Sequence, residues 1–182
     1  MDQKAIDGQA LRQAMRRIPS PVTVVTAAGE GEVRGITIGS FTSVSLDPPL
    51  ISFNVDQAAQ MHPLIMQAER FAVHVLTEAQ AHLSNHFAVK DRTGAEQFAA
   101  VPYRLDAHGT PILEDVLAVF HCTRYAVYPA GDHSLILGAV YRIEEGGAAG
   151  PILYFDRSYR RIGGEAEVRS FSTVKRGSST TP

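Results

Sequence analysis

The stretch GITIGSFTSVSLDPPL, Gly35 to Leu50, decides how the chain reads. It has the form of a β-strand, a short hydroxyl-rich connection, a second strand and a stop at Pro48-Pro49, because proline cannot donate to a ladder. Thr37, Ser40, Thr42, Ser43 and Ser45 each bring a hydroxyl. Gly35 and Gly39 leave the backbone room to bend or to admit a close neighbour. On residue chemistry alone, Ser and Thr outside a helix bond their own backbone, so ST-turns compete with ligand binding as the reading here.

Upstream, Leu11, Met15 and Ile18 fall on one stripe and predict a helix over 8–18, closed by Pro19 and Pro21. Val22 to Ala27, largely β-branched, predicts a strand, and the turn at Gly29–Gly31 returns it as Val33 to Ile38 in a hairpin. Downstream, Leu50 to Val55 predicts a strand. Met61, Leu64, Ile65 and Ala68 then recur at i, i+3, i+4 and i+7, one apolar helix face. Phe71 to Leu76 is a further strand, and Thr77 with Gln80 has the pattern of a capping box starting a helix through about Phe87. Residues 88–111 are polar and broken by Gly94, Pro102, Gly109 and Pro111, which predicts irregular chain with short ordered pieces.

Two long strands follow, Leu117 to Tyr128 and Ser134 to Ile143, turned by Pro129-Ala130-Gly131-Asp132. Leu135, Leu137, Ala139, Tyr141 and Ile143 alternate on one side of the second. A last short strand is expected at Ile152 to Phe155. The division is a domain over 8–163 and a tail or arm over 164–182, rich in Ser, Thr and charge. At least seven short strands with a few helices predict an antiparallel barrel under helical covers, since closure removes exposed sheet edges.

Composition narrows the function classes. The 182 residues suit one domain, and 45% apolar content supports a core. A formal charge of −2 without a basic block argues against nucleic acid or anionic membrane as partner. The first 18 residues carry no continuous apolar core of signal-peptide type, and one cysteine, Cys122, makes no intramolecular disulfide. A cytoplasmic protein is the expectation. A Gly-x-Gly-x-x-Gly fingerprint and a Gly-x-Ser-x-Gly elbow are both absent from the sequence. His82 and His86 have i, i+4 spacing but no companion motif, so no metal is expected.

Gly35 to Leu50, together with IPSPVTVVT at 18–26, FAVHVL at 71–76, Gly131-Asp132-His133 running to Gly138-Ala139-Val140, PILYF at 151–155 and Tyr159-Arg160, resembles the short-chain flavin reductases of the FMN-binding split-barrel superfamily. The order and spacing cover roughly residues 10 to 163. The resemblance implies a split antiparallel Greek-key β-barrel capped by short helices, assembled as a homodimer with flavin at the subunit interface. It implies NADH or NADPH as hydride donor, FMN or FAD as acceptor, and release of reduced flavin to a separate monooxygenase. A non-catalytic flavin-binding or electron-carrier protein on the same barrel is the alternative.

The same resemblance carries flavin-binding roles onto Thr37, Ile38, Gly39, Ser40, Phe41, Thr42, Ser43, Val44 and Ser45. The segment from Asn54 to His62 would follow the ribityl chain to the phosphate, through Asn54, Asp56, Gln57, Gln60 and His62. It reads NVDQAAQMH and has no fixed positive charge where family members often have Ser, Thr, Lys or Arg. Ser84, Asn85, His86, Phe87, Lys90 and Arg92 are the candidates to complete it. A lone turn histidine such as His133 reads by chemistry as structural or solvated. The resemblance instead places it by the nicotinamide and flavin rings as an orienting or proton-donating group, with Asp132 positioning the loop. Tyr154, Arg157, Tyr159 and Arg160 would contact the pyridine nucleotide or the partner subunit's flavin.

Overall fold

Seven strands built on Val, Ile, Phe and Thr pair antiparallel throughout, and their order in space follows from three hairpins laid side by side. The computed structural model describes residues 6–29 and 31–164. The expected C-terminal arm lies, apart from Gly164, outside the described residues. The chain opens with α1 (Gly8–Met15), β1 (Ser20–Pro21) and the hairpin of β2 (Thr23–Gly29) and β3 (Glu32–Ile38). The hairpin of β4 (Thr42–Leu46) and β5 (Pro49–Asp56) follows, then α2 (Met61–Gln67), β6 (Arg70–Val75), α3 (Ala81–Phe87) and α4 (Gly94–Phe98). Short strands β7 (Tyr103–Leu105) and β8 (Pro111–Leu113) precede the long hairpin of β9 (Ala118–Ala130) and β10 (His133–Glu145). Strands β11 (Ile152–Phe155) and β12 (Ser158–Arg161) finish the described chain.

The main sheet runs β3-β2-β6-β9-β10-β5-β4, and its end strands do not pair with each other. Inserting β6, β9 and β10 between the first two hairpins gives Greek-key connections and leaves the barrel split rather than closed by hydrogen bonds. A three-stranded sheet, β1-β11-β12, and the β7-β8 pair lie outside it.

Two apolar layers hold the barrel. Val25, Phe53, Ile65, Phe71, Val73 and Ile136 pack in its interior. Val24, Ala72, Leu76, Phe87, Phe98 and Ile112 form a second cluster between the sheet's outer face and the segment carrying α3, α4 and β8. Strands β2 and β6 are therefore buried on both faces, which explains why they read as almost continuous apolar runs. Gly138 lets the Phe71 ring pass, since a Cβ there would lie 2.5 Å from its Cζ.

Four local features differ from expectation. Thr77 and Gln80 make only half of a capping box: the Gln80 side chain accepts from Thr77 N–H at 3.1 Å, but Gln80 N–H donates to the Thr77 carbonyl rather than its hydroxyl, and the helix begins at Ala81. The complete capping box belongs to Thr93 and Glu96, at the start of α4 within the polar segment. Pro49 continues into β5 instead of stopping the chain, and the stop is at the cis Asp47-Pro48 bond. The apolar alternation on β10 does not hold along its whole length: Leu135 and Leu137 lie opposite the inward Ser134, Ile136 and Gly138, but a register shift between Val140 and Arg142 pairs Ile143 with Phe120, which packs against the barrel core.

Helix α1 ends at Met15, with Asp7 accepting from Ala10 N–H at 2.7 Å as its N-cap. Its expected apolar stripe is present but uncovered in this chain, with Leu11, Met15 and Ile18 each more than half exposed. Among the described residues, no helix is long and apolar enough to cross a membrane.

Two buried groups are fixed chemically by their surroundings. His74 lies at the interface of β2, β6 and β8. Its Nδ1 donates to the Val24 carbonyl at 3.0 Å, and its Nε2 accepts from Leu113 N–H at 3.1 Å. Burial drives its pKa down to about 4, so the imidazole is neutral. Burial pushes the Cys122 thiol up to about 12, which makes it an inert small hydrophobe.

Candidate functional site

Strand β3 is an edge of the sheet, and the polar and apolar groups of its second half face a cleft of about 350 Å³. Gly35, Ile36 and Thr37 form one wall; Ala58, Ala59 and Met61 from the β5–α2 connection form another. Phe87, Val89 and Lys90 close the third side. Gly35 is required here, because a Cβ would lie 2.6 Å from the Phe87 ring. The buried side chain of Gln97 then replaces a neighbouring strand, bonding both backbone groups of Gly35 at 3.0 Å.

Of the residues expected at the site, Thr37, Asp56, Gln60, Phe87 and Lys90 line this cleft together. Thr37 Oγ1 donates to the Ser84 carbonyl at 2.7 Å. The Ser84 hydroxyl accepts from the Tyr159 hydroxyl at 2.8 Å, which also reaches Asn85 Oδ1 at 2.8 Å. Thr37, Ser84 and Tyr159 are thus one connected series, with Ser84 buried behind the cleft wall. Tyr154 packs edge-on against Tyr159 at 5.4 Å, while Arg157 sits at φ 62° in the exposed turn between β11 and β12.

The turn after β9 is held to the end of β5. His133 pairs in register with Asp56. Gln57 fastens the loop three times: its backbone N–H donates to the Asp132 carbonyl at 3.0 Å, and its amide donates to the carbonyls of Gly131 at 3.3 Å and His133 at 3.1 Å. Gly131 takes φ 65°, a conformation that glycine adopts without strain. The His133 ring is 42% exposed, with Nδ1 2.7 Å from Asp132 Oδ1. The hydrogen bond from His133 holds the Asp132 carboxyl below the usual carboxylate range.

The hydroxyl stretch divides by face. Ile38 enters the barrel core, and Phe41 packs on Phe120 with ring centroids 5.4 Å apart. Gly39 runs against Ser20. Ser40 Oγ accepts from Asn54 N–H at 2.9 Å and pins the connection to β5. Thr42, Ser43 and Val44 are exposed on β4, and Ser45 is half-buried. Because directly paired residues share a face, Thr42, Ser52, Leu137 and Ala126 form one outward row across four strands. Asn54, Leu135 and Tyr128 form the next. His62 stands apart, hydrogen bonded through Nε2 to Ser134 Oγ at 2.9 Å. His86 is engaged at both ring nitrogens, by Arg92 and the Gln97 carbonyl, rather than paired with His82.

The sequence reading missed the principal cation. Arg34 donates to Gln60 Oε1 at 2.6 Å and to the Arg92 carbonyl at 3.1 Å, and forms an ion pair with Glu32 at 2.7 Å. It supplies the fixed positive charge that the segment from Asn54 to His62 lacks. Lys90 is the second cation in the cleft, with Asp56 and Asp91 as its acidic residues. Asp56 is occupied in part by its own turn, accepting from Ala58 N–H at 2.9 Å. The cleft therefore offers apolar walls, hydroxyl and amide groups, and a guanidinium at one end. That set suits a polyhydroxylated chain ending in a phosphate.

Residues 15–163 match the flavin reductase like domain. The chain belongs to this family. It is 36% identical over 156 residues to a flavin reductase of Pseudomonas putida, covering 85% of this chain and 90% of that protein. It is 36% identical over 154 residues to the reductase component of 4-hydroxyphenylacetate 3-monooxygenase from Thermus thermophilus, covering 85% of this chain and 96% of that one. The structure resembles the NADH:FAD oxidoreductase of Streptomyces globisporus in complex with NAD and FAD fragments. The TM-score is 0.81 at 34% identity, covering 91% of this chain and 100% of that one. The flavin reductase domain thus spans the barrel, the β3 cleft and the His133 loop together.

Proposed function

We propose that this chain is an NAD(P)H:flavin oxidoreductase that reduces FMN or FAD and supplies the reduced flavin to a partner flavin-dependent monooxygenase. The observation that carries this reading is the fastening of the His133 loop to β5 beside the β3 cleft, in a chain of the flavin reductase family. Flavin, when bound, accepts hydride at N5 from the nicotinamide C4. Holding the two rings in contact removes the entropic cost of their encounter.

The residues divide this work. Thr37, Gln60, Arg34 and Lys90 hold the ribityl chain and its phosphate. The backbone and hydroxyls from Gly39 to Ser45, with Asn54, take the polar edge of the ring. His133 orients the reacting groups and can donate a proton, while Gln57 and Asp132 set its position. Reduced flavin must leave for the monooxygenase. The balanced charge of the cleft, where Arg34 pairs with Glu32 and where Asp56 and Asp91 line the wall with Lys90, favours moderate rather than tight retention.

The enzyme works as a cytoplasmic homodimer in this reading. Val44 and Leu46 on β4, Leu11 and Met15 on α1, and Tyr128 on β9 are large apolar side chains left exposed on the single chain, more than a solvated surface requires. The outward rows through Thr42 and Asn54 are continuous with Leu137, Leu135 and Tyr128, so a second copy seated there would border the flavin.

The test is oxidation of NADH and of NADPH by the pure protein with FMN, FAD and riboflavin added in turn. Turnover that requires added flavin is expected. A protein that holds flavin and ignores both nucleotides would be the carrier instead.

A further inference from the structure

His62 does not line the flavin cleft, although Ala59, Gln60 and Met61 just before it do. Helix α2 enters the apolar interior of the barrel with Met61, Leu64 and Ile65. From there the His62 ring reaches Ser134, with Nε2 2.9 Å from the hydroxyl oxygen. Ser134 is buried and directly follows His133, at the first step of β10. Successive residues of a strand face opposite sides, so His133 is presented outward and Ser134 inward.

The β5–α2 connection thus grips this step of β10 on both faces. Gln57 holds the outer side, donating through its amide to the carbonyls of Gly131 and His133. His62 holds the inner side through Ser134. Between the two, the connection is braced by its own bonds. The Asp56 carboxylate accepts from Ala58 N–H, the Asp56 carbonyl from Ala59 N–H and the Ala59 carbonyl from His62 N–H, each at 2.9 Å. Among the described residues, the His133 ring has Asp132 as its hydrogen-bond partner, and that side chain is 90% exposed. A solvated pair of this kind is a weak brace. The direction of the His133 ring is therefore set by the backbone beneath it, which the two-sided grip holds.

We propose that His62 and Ser134 are positioning residues for hydride transfer. Their hydrogen bond fixes the backbone at His133, so His62 acts through His133 and not by holding the flavin phosphate. The inference rests on the flavin reductase reading, in which His133 orients the reacting groups. A reacting group displaced by about 1 Å loses rate steeply, while the affinity of the cleft for flavin stays in place. The Ser134 hydroxyl can donate or accept, so the pair forms with either neutral tautomer of His62.

The test compares His62→Ala, Ser134→Ala and His62→Gln, whose amide nitrogen can stand in for Nε2, with FMN and riboflavin as acceptors. In both alanine variants kcat should fall about tenfold with either flavin, while the flavin dissociation constants stay within about twofold. Ser134→Ala removes a single atom, so it reports even where loss of the His62 ring disturbs packing. His62→Gln should recover most of kcat. In a His133→Ala background neither alanine substitution should lower kcat further, because the group they position is gone. A merely structural brace would lower it additively there, which would overturn the proposal, as would an unchanged kcat in both alanine variants. Loss of FMN affinity but not riboflavin affinity in His62→Ala would give His62 to the phosphate, which also overturns it. FMN-dependent NADH oxidation by the wild type reports separately on the reductase reading, so the two can fail independently.

Discussion

Gln97 satisfies both backbone groups of Gly35 at once, accepting from its N–H and donating to its carbonyl at 3.0 Å each. The amide stands where an eighth strand would pair, at the point where the hydroxyl-rich stretch begins. Truncation in Gln97→Ala leaves two buried polar groups unpaired. We expect a loss of about 2–4 kcal/mol and a melting temperature lower by roughly 5–15 °C. Thermal unfolding followed by circular dichroism checks this.

Gly35 and Phe87 form a second coupled pair, since a Cβ at Gly35 would lie 2.6 Å from the ring. Gly35→Ala should displace the ring into the cleft and raise the dissociation constant for FMN about tenfold, with a stability cost of roughly 1–3 kcal/mol. The double variant with Phe87→Leu should recover much of both losses. Additive effects in the double-mutant cycle would contradict direct contact.

His74 gives the fold a pH dependence of definite sign. Its folded pKa is about 4 against 6.5 when unfolded, so the unfolded chain binds the proton more readily. Its contribution is complete above pH 6.5, falls as the pH drops toward 4 and is then lost, to a total of roughly 3 kcal/mol. Asp132 and Glu144, held low by His133 and Arg104 respectively, lose their contributions only further into acid. Urea unfolding of His74→Gln should show less stability at pH 7 and a flatter slope across pH 6.5 to 4.5 than the parent chain. An unchanged slope would mean that other groups set it.

At the His133 loop, His133→Ala should lower kcat by about 10²-fold, the lower range for a positioned acid, while the FMN dissociation constant changes less than about threefold. Asp132→Asn keeps the loop and its hydrogen bond, so it should fall between the parent and His133→Ala. Steady-state kinetics with flavin titrations separates the two parameters.

Leu46 is 89% exposed at the tip of the β4–β5 hairpin. If that tip seats on a second copy, Leu46→Asp should shift the protein from dimer toward monomer in light scattering. A monomeric parent protein would remove the interfacial placement of the flavin.

The barrel strands were legible because their apolar runs are bounded by glycine and proline, and because β2 and β6 are buried on both faces. The register shift at Tyr141 was not, since a bulge that breaks the alternation leaves no mark in the apolar pattern. The capping-box spacing fits both Thr77–Gln80 and Thr93–Glu96, and only the second pair completes the box, since the Gln80 amide turns to the Glu114 carbonyl and its helix starts at Ala81. The hydroxyl stretch and the His133 loop are each continuous in sequence, so both stand out as motifs. Arg34 does not: on β3 it reads as a strand's solvent-facing residue, and its partner Gln60 is 26 positions away. Gln97 was hidden in the same way, on a short helix within a segment of polar composition.

The most direct measurement is the flavin absorbance after anaerobic mixing of FMN, NADH and a catalytic amount of the protein. Bleaching of the flavin in step with NADH consumption, absent without the protein and slowed strongly in His133→Ala, is the predicted result. Flavin that stays oxidised while NADH persists would contradict the assignment of hydride transfer to this barrel.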